Sequence, residues 1–115
     1  TYRELGAEAR DWLFGRNPWG VSFVIGVPED GRAASRPHHL FWKLKKHLPV
    51  GGVVDGPVYK DINDGLKFGN SFDDDEFARF QSEVAVYHDL FADFSTNEPI
   101  IDGTVSLLLL LEVWK

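Results

Sequence analysis

At 115 residues, 43% of them hydrophobic, the chain is at most one domain and holds enough apolar surface for a core, which excludes a disordered polypeptide. Its formal charge of −6 excludes nucleic acid as a partner, because phosphate demands a basic surface, and is compatible with a neutral sugar polymer. The lack of cysteine excludes disulfides and thiolate metal sites while leaving the compartment open.

Thr1-Tyr-Arg-Glu4 has the form of a capping box. Tyr2, Leu5, Ala9, Trp12 and Leu13 recur at helical spacing, Gly15 supplies a stop and Pro18 prevents continuation, so a helix is predicted over about residues 2–14. Asn17-Pro18-Trp19-Gly20 reads as a turn, and the β-branched run Val21 to Val27 is compatible with an extended segment but too short to decide. Residues 29–35 form a polar loop tip. His38 to His47 has room for a helical turn or two closed by Pro49, and Gly51 to Pro57 reads as irregular. Acidic loops follow at Asp61–Gly65 and Asp73–Glu76. Phe77, Phe80, Val84 and Tyr87 share a helical face, which predicts a short helix over about 75–86.

The last element is a helix from about Pro99 or Asp102 to Trp114. Leu107 to Leu111 makes it apolar all round, and such a helix must be buried on every side. Two long helices and a great length of loop cannot enclose it, so the chain is expected to be part of something larger. The absence of methionine, hence of an initiator, points the same way. The apolar run is far short of the roughly 20 residues that span a bilayer, so no membrane is expected as a partner.

Several motifs in one order carry a family resemblance. Asp11-Trp-Leu-Phe-Gly15-Arg16-Asn17-Pro18 is followed by Ser22-Phe-Val-Ile-Gly26, by Pro37-His38-His39 and by Gly51-Gly52-Val-Val-Asp55-Gly56-Pro57. Tyr87-x-Asp89-x-x-x-x-Phe94-x-x-x-Glu98 closes the set. Together they resemble glycoside hydrolase family 9, the inverting endoglucanases and related β-glucanases. The resemblance implies the C-terminal segment of one catalytic domain: an all-α fold with long irregular loops, the end of an (α/α)6 barrel, in a secreted or periplasmic enzyme. Its partners would be a β-glucan or oligosaccharide substrate and the remainder of the same domain.

Glycoside hydrolysis with inversion needs one carboxylic acid to protonate the leaving oxygen and one carboxylate to activate water. The resemblance puts Glu98 at the general acid and Asp89 at its neighbouring signature carboxylate. It makes His38 and His39 substrate contacts, on a loop brought to the same end of the helices as Glu98. The family's general base belongs to an Asp-rich motif that nothing in these residues matches, so the fragment alone is expected to be inactive. Pro99 suits the first position of a helix, and a helix start favours a charged carboxylate. Desolvation and a second carboxylate must therefore outweigh the dipole if Glu98 is to hold its proton. Trp19, Phe41, Trp42 and Phe94 are aromatics of the kind that stack on sugar rings, although ordinary core packing also accounts for them. Leu40 stands where the family has arginine, and Ile100 and Thr104 also depart from its pattern, which marks a divergent branch.

No cofactor is implied. The acidic stretch Asp61–Glu76 offers oxygen ligands to calcium but lacks the spacing of an EF-hand, and a solvated loop is the simpler reading. Two rivals remain: a non-catalytic carbohydrate-binding or structural remnant of the fold, and an acidic calcium-binding module.

Overall fold

The computed structural model describes residues 1–29, 31–66 and 75–114. Its organising element is the extended segment 21–25, whose side chains alternate between two buried faces as an extended backbone requires. Val21, Phe23 and Ile25 face a cluster with Trp19, Ala34, Val54, Phe77 and Tyr87. Val24 turns the other way, onto Val53 and Leu107. Phe23 lies at the centre, with ring centroids 4.7 Å from Tyr87 and 5.1 Å from Trp12.

Burying this backbone on both sides obliges every N–H and C=O to find a partner. On one edge, Ser22 and Ala34 exchange bonds with residues 32 and 22. On the other, Val54 donates to Phe23 and Ile25 to Gly52. There β1 (Val53–Val54) continues the pairing outward to β4 (Pro99–Ile100), in antiparallel register Val53 to Ile100 and Val54 to Pro99. A second antiparallel pair joins β2 (Val58–Tyr59) to β3 (Ala85–Val86).

Helix α1 (Tyr2–Leu13) begins at the predicted capping box, where the Glu4 N–H donates to Thr1 Oγ1. It ends at Gly15, whose φ of +114° lies where side chains are strained. Asn17 then ties the turn down, donating from Nδ2 to the Trp12 and Val21 carbonyls at 2.8 Å each. Short helices α2 (Leu40–Lys45), α3 (Lys60–Gly65) and α4 (Phe94–Asn97) follow, and α5 (Ile101–Val113) closes the fold.

The expectation of an all-α fold is therefore wrong for this chain. Five helices are joined by two small antiparallel sheets among the described residues, so the fold is mixed α/β. The buried β-branched pair Val53–Val54 supplies a backbone ladder where glycine content had suggested irregular loop. The helix predicted over 75–86 is absent too; a 3-10 turn at Ala78–Phe80 and β3 stand in its place. The side chain of Gln81 explains why. Its Oε1 accepts from Trp19 Nε1 (2.8 Å) and the Tyr87 N–H (3.0 Å), and its Nε2 donates to the Tyr87 carbonyl (2.6 Å). One amide thus replaces the bonds a helix would have made. Pro99 is likewise a strand residue, with Ile100 as the cap of α5. Asp73 and Asp74, part of the acidic stretch read for calcium, lie outside the described residues.

Helix α5 is held at its start by Thr104, whose Oγ1 donates to the Ile100 carbonyl (2.7 Å) and accepts from the Val53 N–H (3.0 Å). Gly103 permits this approach, because a β-carbon there would come within 3.0 Å of the Ile100 side chain. At its far end Trp114 rests on α1 at Gly6, between Arg3 and Arg10. Between these anchors only Leu107 is buried; Leu108 and Leu109 are 63% and 66% exposed. Burial on every side is thus not achieved within these residues. No helix among the described residues is long and apolar enough to cross a membrane.

An open apolar face of this kind drives association. The chain produced alone is expected to bind a hydrophobic dye and to sediment above its monomer mass, and a Leu108→Glu/Leu109→Glu variant should restore the monomer with its helix content intact. A dye-silent wild-type monomer would contradict this.

Candidate active site

The loop from Tyr87 to Glu98 is held from within by two buried carboxylates. Asp89 is 2% exposed. Its Oδ2 accepts from the Ser35 N–H (2.9 Å) and Oγ (2.8 Å), and its Oδ1 from the Arg36 N–H (2.9 Å) and Asn97 Nδ2 (3.0 Å). Such charge-assisted bonds make a buried carboxylate tolerable and fix its surroundings. Asp89 thereby joins segment 35–36 to α4, and its oxygens are committed inside the protein.

Asp93, fully buried, caps α4 through the Ser95 N–H (3.0 Å). It also accepts from the Ser95 and Thr96 hydroxyls at 2.6 and 3.0 Å, from Asn63 Nδ2 at 3.0 Å and from His88 Nδ1 at 2.7 Å. With a carboxylate facing it, Nδ1 is the nitrogen that carries the proton. His88 Nε2 lies 3.6 Å from Asp75 on its other side. Burial works against the charge on Asp93, but the bonds from His88, Ser95 and Thr96 outweigh it and hold the carboxyl below its ordinary range.

Asn97 completes the web. Its Nδ2 also donates to the Arg36 carbonyl (2.9 Å), its Oδ1 accepts from the Tyr87 hydroxyl (3.0 Å), and its carbonyl accepts from the His38 N–H (2.8 Å). Burial, reinforced by the charge of Asp89, pushes the Tyr87 phenol well up, so it remains a neutral donor.

Glu98 emerges from this web into solvent. It is extended (φ −83°, ψ 128°), as the following proline demands, and its carbonyl accepts from the Asp55 N–H at 3.0 Å. Its side chain is exposed and makes no hydrogen bond or ion pair among the described residues. The expected conflict with a helix dipole does not arise, because Glu98 precedes the cap of α5 and Asp102 occupies the first turn. Another carboxylate takes its place. Burial of Asp55, followed by the charges of Glu98 and Asp102, pushes the Asp55 carboxyl up to about 6.

The histidine loop meets this segment through the His38–Asn97 bond. His38 stacks on Phe91 (4.7 Å) with Nδ1 against the Phe91 carbonyl, and Phe94 stands edge-on to it at 6.0 Å. His39 caps α2, and its enclosed Nδ1 has no partner among the described residues. It lines a cavity of about 240 Å³ with Pro49, Pro99, Ile100 and Thr104, next to Glu98 in the chain. Trp42 is half-buried, stacked on Phe91 (6.0 Å) under Lys46. Phe41 is exposed, whereas Trp19 is a core residue and is removed from any surface role. The sequence reading overlooked Asp93, His88, Asn97 and Asp55. Only Asp93 carried a local signal, as an Asp two residues before a Ser at a helix start.

Two comparisons find nothing and one does not. The family model described as Glycosyl hydrolase family 9 matches residues 1–111 of the chain. No curated protein and no solved structure matches it.

Since the folded state lowers the Asp93 pKa, the stability it confers is complete above the ordinary carboxylate value of about 4 and is lost as pH falls through the lowered one. Asp93→Asn should destabilise by about 3 kcal/mol at neutral pH, since it strips a buried charge from its partners. Melts of the variant should also lose less on acidification to pH 3 than those of the wild type. An unchanged melting temperature at neutral pH would contradict the assignment.

Proposed function

The chain belongs to glycosyl hydrolase family 9, and from that premise we propose that it supplies the acid half of an inverting glycosidase that acts on β-linked glucans. The observation that carries this reading is the contrast between the two signature carboxylates. Asp89 is buried with its oxygens bonded, while Glu98 is open and uncommitted. A general acid must reach the leaving oxygen, and of the two only Glu98 has a free path to it.

Glu98 then protonates the glycosidic oxygen as the bond breaks. Water attacks from the opposite face, activated by a carboxylate about 6.5–9.5 Å from the acid and contributed by residues outside this chain. Asp89 acts as a positioning residue, locking Asn97 and so the backbone from which Glu98 projects. His38, His39, Trp42 and Phe94 border the substrate, where an aromatic face suits the apolar face of a sugar ring. The open face of α5 packs against the remainder of the same catalytic domain, in a secreted or periplasmic protein that needs no cofactor. A non-catalytic remnant is the rival reading, favoured by Leu40 in the place of the family's arginine.

Glu98→Gln in the full-length protein separates the two. The substitution keeps size and removes the transferable proton, so kcat on a β-glucan should fall about 10²–10⁴-fold. On an activated aryl glycoside, whose leaving group needs little protonation, the loss should be much smaller, with KM nearly unchanged on both. Equal losses accompanied by a lowered melting temperature would make Glu98 a structural residue. Absence of activity in the wild type would favour the remnant.

A further inference from the structure

The net charge of −6 is not spread evenly over the chain. From Pro37 to Val54 there is no acidic residue, and Lys43, Lys45 and Lys46 stand together at the end of α2. All three are exposed, and none pairs with a carboxylate among the described residues. A surface that only had to stay soluble would intersperse the two signs.

Two of these ammonium groups are folded back onto the aromatic border of the candidate site. Lys43 Nζ stands 4.8 Å from the centre of the Phe91 ring, and Lys46 Nζ 4.1 Å from that of Trp42. The two rings are stacked, with centroids 6.0 Å apart and 20° between their planes, and His38 stacks on Phe91 at 4.7 Å. His38 in turn donates from its N–H to the Asn97 carbonyl, one residue before Glu98. The helix dipole favours cations in the last turn of α2, but it does not account for the backbone at Lys46. Its φ of +54° makes it the one non-glycine residue in the left-handed region among the described residues. Glycine or asparagine is the ordinary occupant of such a helix end, because a β-carbon is crowded there. Strain of this kind persists where function needs the side chain, and the side chain kept here is the cation over Trp42.

We propose that Lys43 and Lys46 are specificity-determining residues: fixed over Phe91 and Trp42, they receive an anionic group, carboxylate or sulfate, carried by a sugar unit of the β-glucan bound beside Glu98. The inference deepens, and rests on, the reading that His38 and Trp42 border the substrate. A neutral sugar gains only the aromatic face, whereas a uronate or a sulfate ester adds charge-assisted bonds to the ammonium groups. Lysine offers a compact point charge with rotatable donors, so it accepts either anion without demanding the planar geometry that arginine would. The acidity of the whole chain does not oppose this, because exposed charges are screened beyond about 8 Å at physiological ionic strength.

Calorimetric titration of the full-length protein tests the proposal, with Glu98→Gln as the background so that the ligand is not cut. The probes are a β-gluco-oligosaccharide, its C6-oxidised form bearing carboxylates, and its sulfated form. At low salt an anionic form should bind about tenfold tighter than the neutral one, and the preference should shrink as salt is raised. Whichever anion leads identifies the group. Lys43→Gln/Lys46→Gln should abolish the preference, and Lys43→Arg/Lys46→Arg should keep most of it. Lys46→Gly relieves the backbone and removes a charge, so it should melt no lower than the background protein while weakening the anion. Equal affinity for all three probes, or a preference that survives the glutamine variant, overturns the role of the lysines alone. Trp42→Ala guards the premise. If it leaves the affinity for the neutral probe unchanged, or if the background protein binds none of the three, the substrate does not border this stack and the inference falls with that reading.

Discussion

The fold around the site depends on two carboxylates that are not free to act. Asp89 and Asp93 are buried with their oxygens filled by donors from Ser35, Arg36, Asn63, His88, Ser95, Thr96 and Asn97. Removing any one donor would leave part of a charge unsolvated in a poorly polarisable interior. Such a web tolerates few arrangements, so a loop with little regular structure acquires one conformation. What leaves the web, the Glu98 side chain, is positioned by what stays within it.

A second constraint runs outward from the core. Segment 21–25 is buried on both faces, and its edge groups are satisfied by residues 32–34 on one side and 51–54 on the other. β1 hands the ladder on to β4, so the site is coupled to the best-packed part of the molecule through four paired residues. The coupling extends one residue beyond the ladder, where the Asp55 N–H donates to the Glu98 carbonyl.

Signals contained within a few residues were legible in the sequence. Thr1 and Glu4 announced the start of α1, Gly15 its end, and the run of leucines the position of α5. The spacing of Tyr87, Asp89, Phe94 and Glu98 carried the family. What escaped was settled across distance. Two-residue strands such as β1 and β4 are too short to show a period, and their partners lie far apart in the chain. The periodic Phe77, Phe80, Val84 and Tyr87 predicted a helix because nothing local revealed that Gln81 would bond across the turn to Tyr87 and Trp19. Nor could spacing show that of two signature carboxylates one would be sealed in and the other left open. That distinction is made by Ser35 and Arg36, more than fifty residues upstream of Asp89.

The most direct test of the account is a distance. In a structure of the full-length protein holding an uncleaved β-glucan oligosaccharide across its cleft, the Glu98 carboxyl should lie about 2.6–3.2 Å from the scissile glycosidic oxygen. Asp89 should remain bonded to Ser35, Arg36 and Asn97, out of reach of the sugar. A glycosidic oxygen served by some other acid, or an Asp89 turned from its donors toward the substrate, would contradict the account.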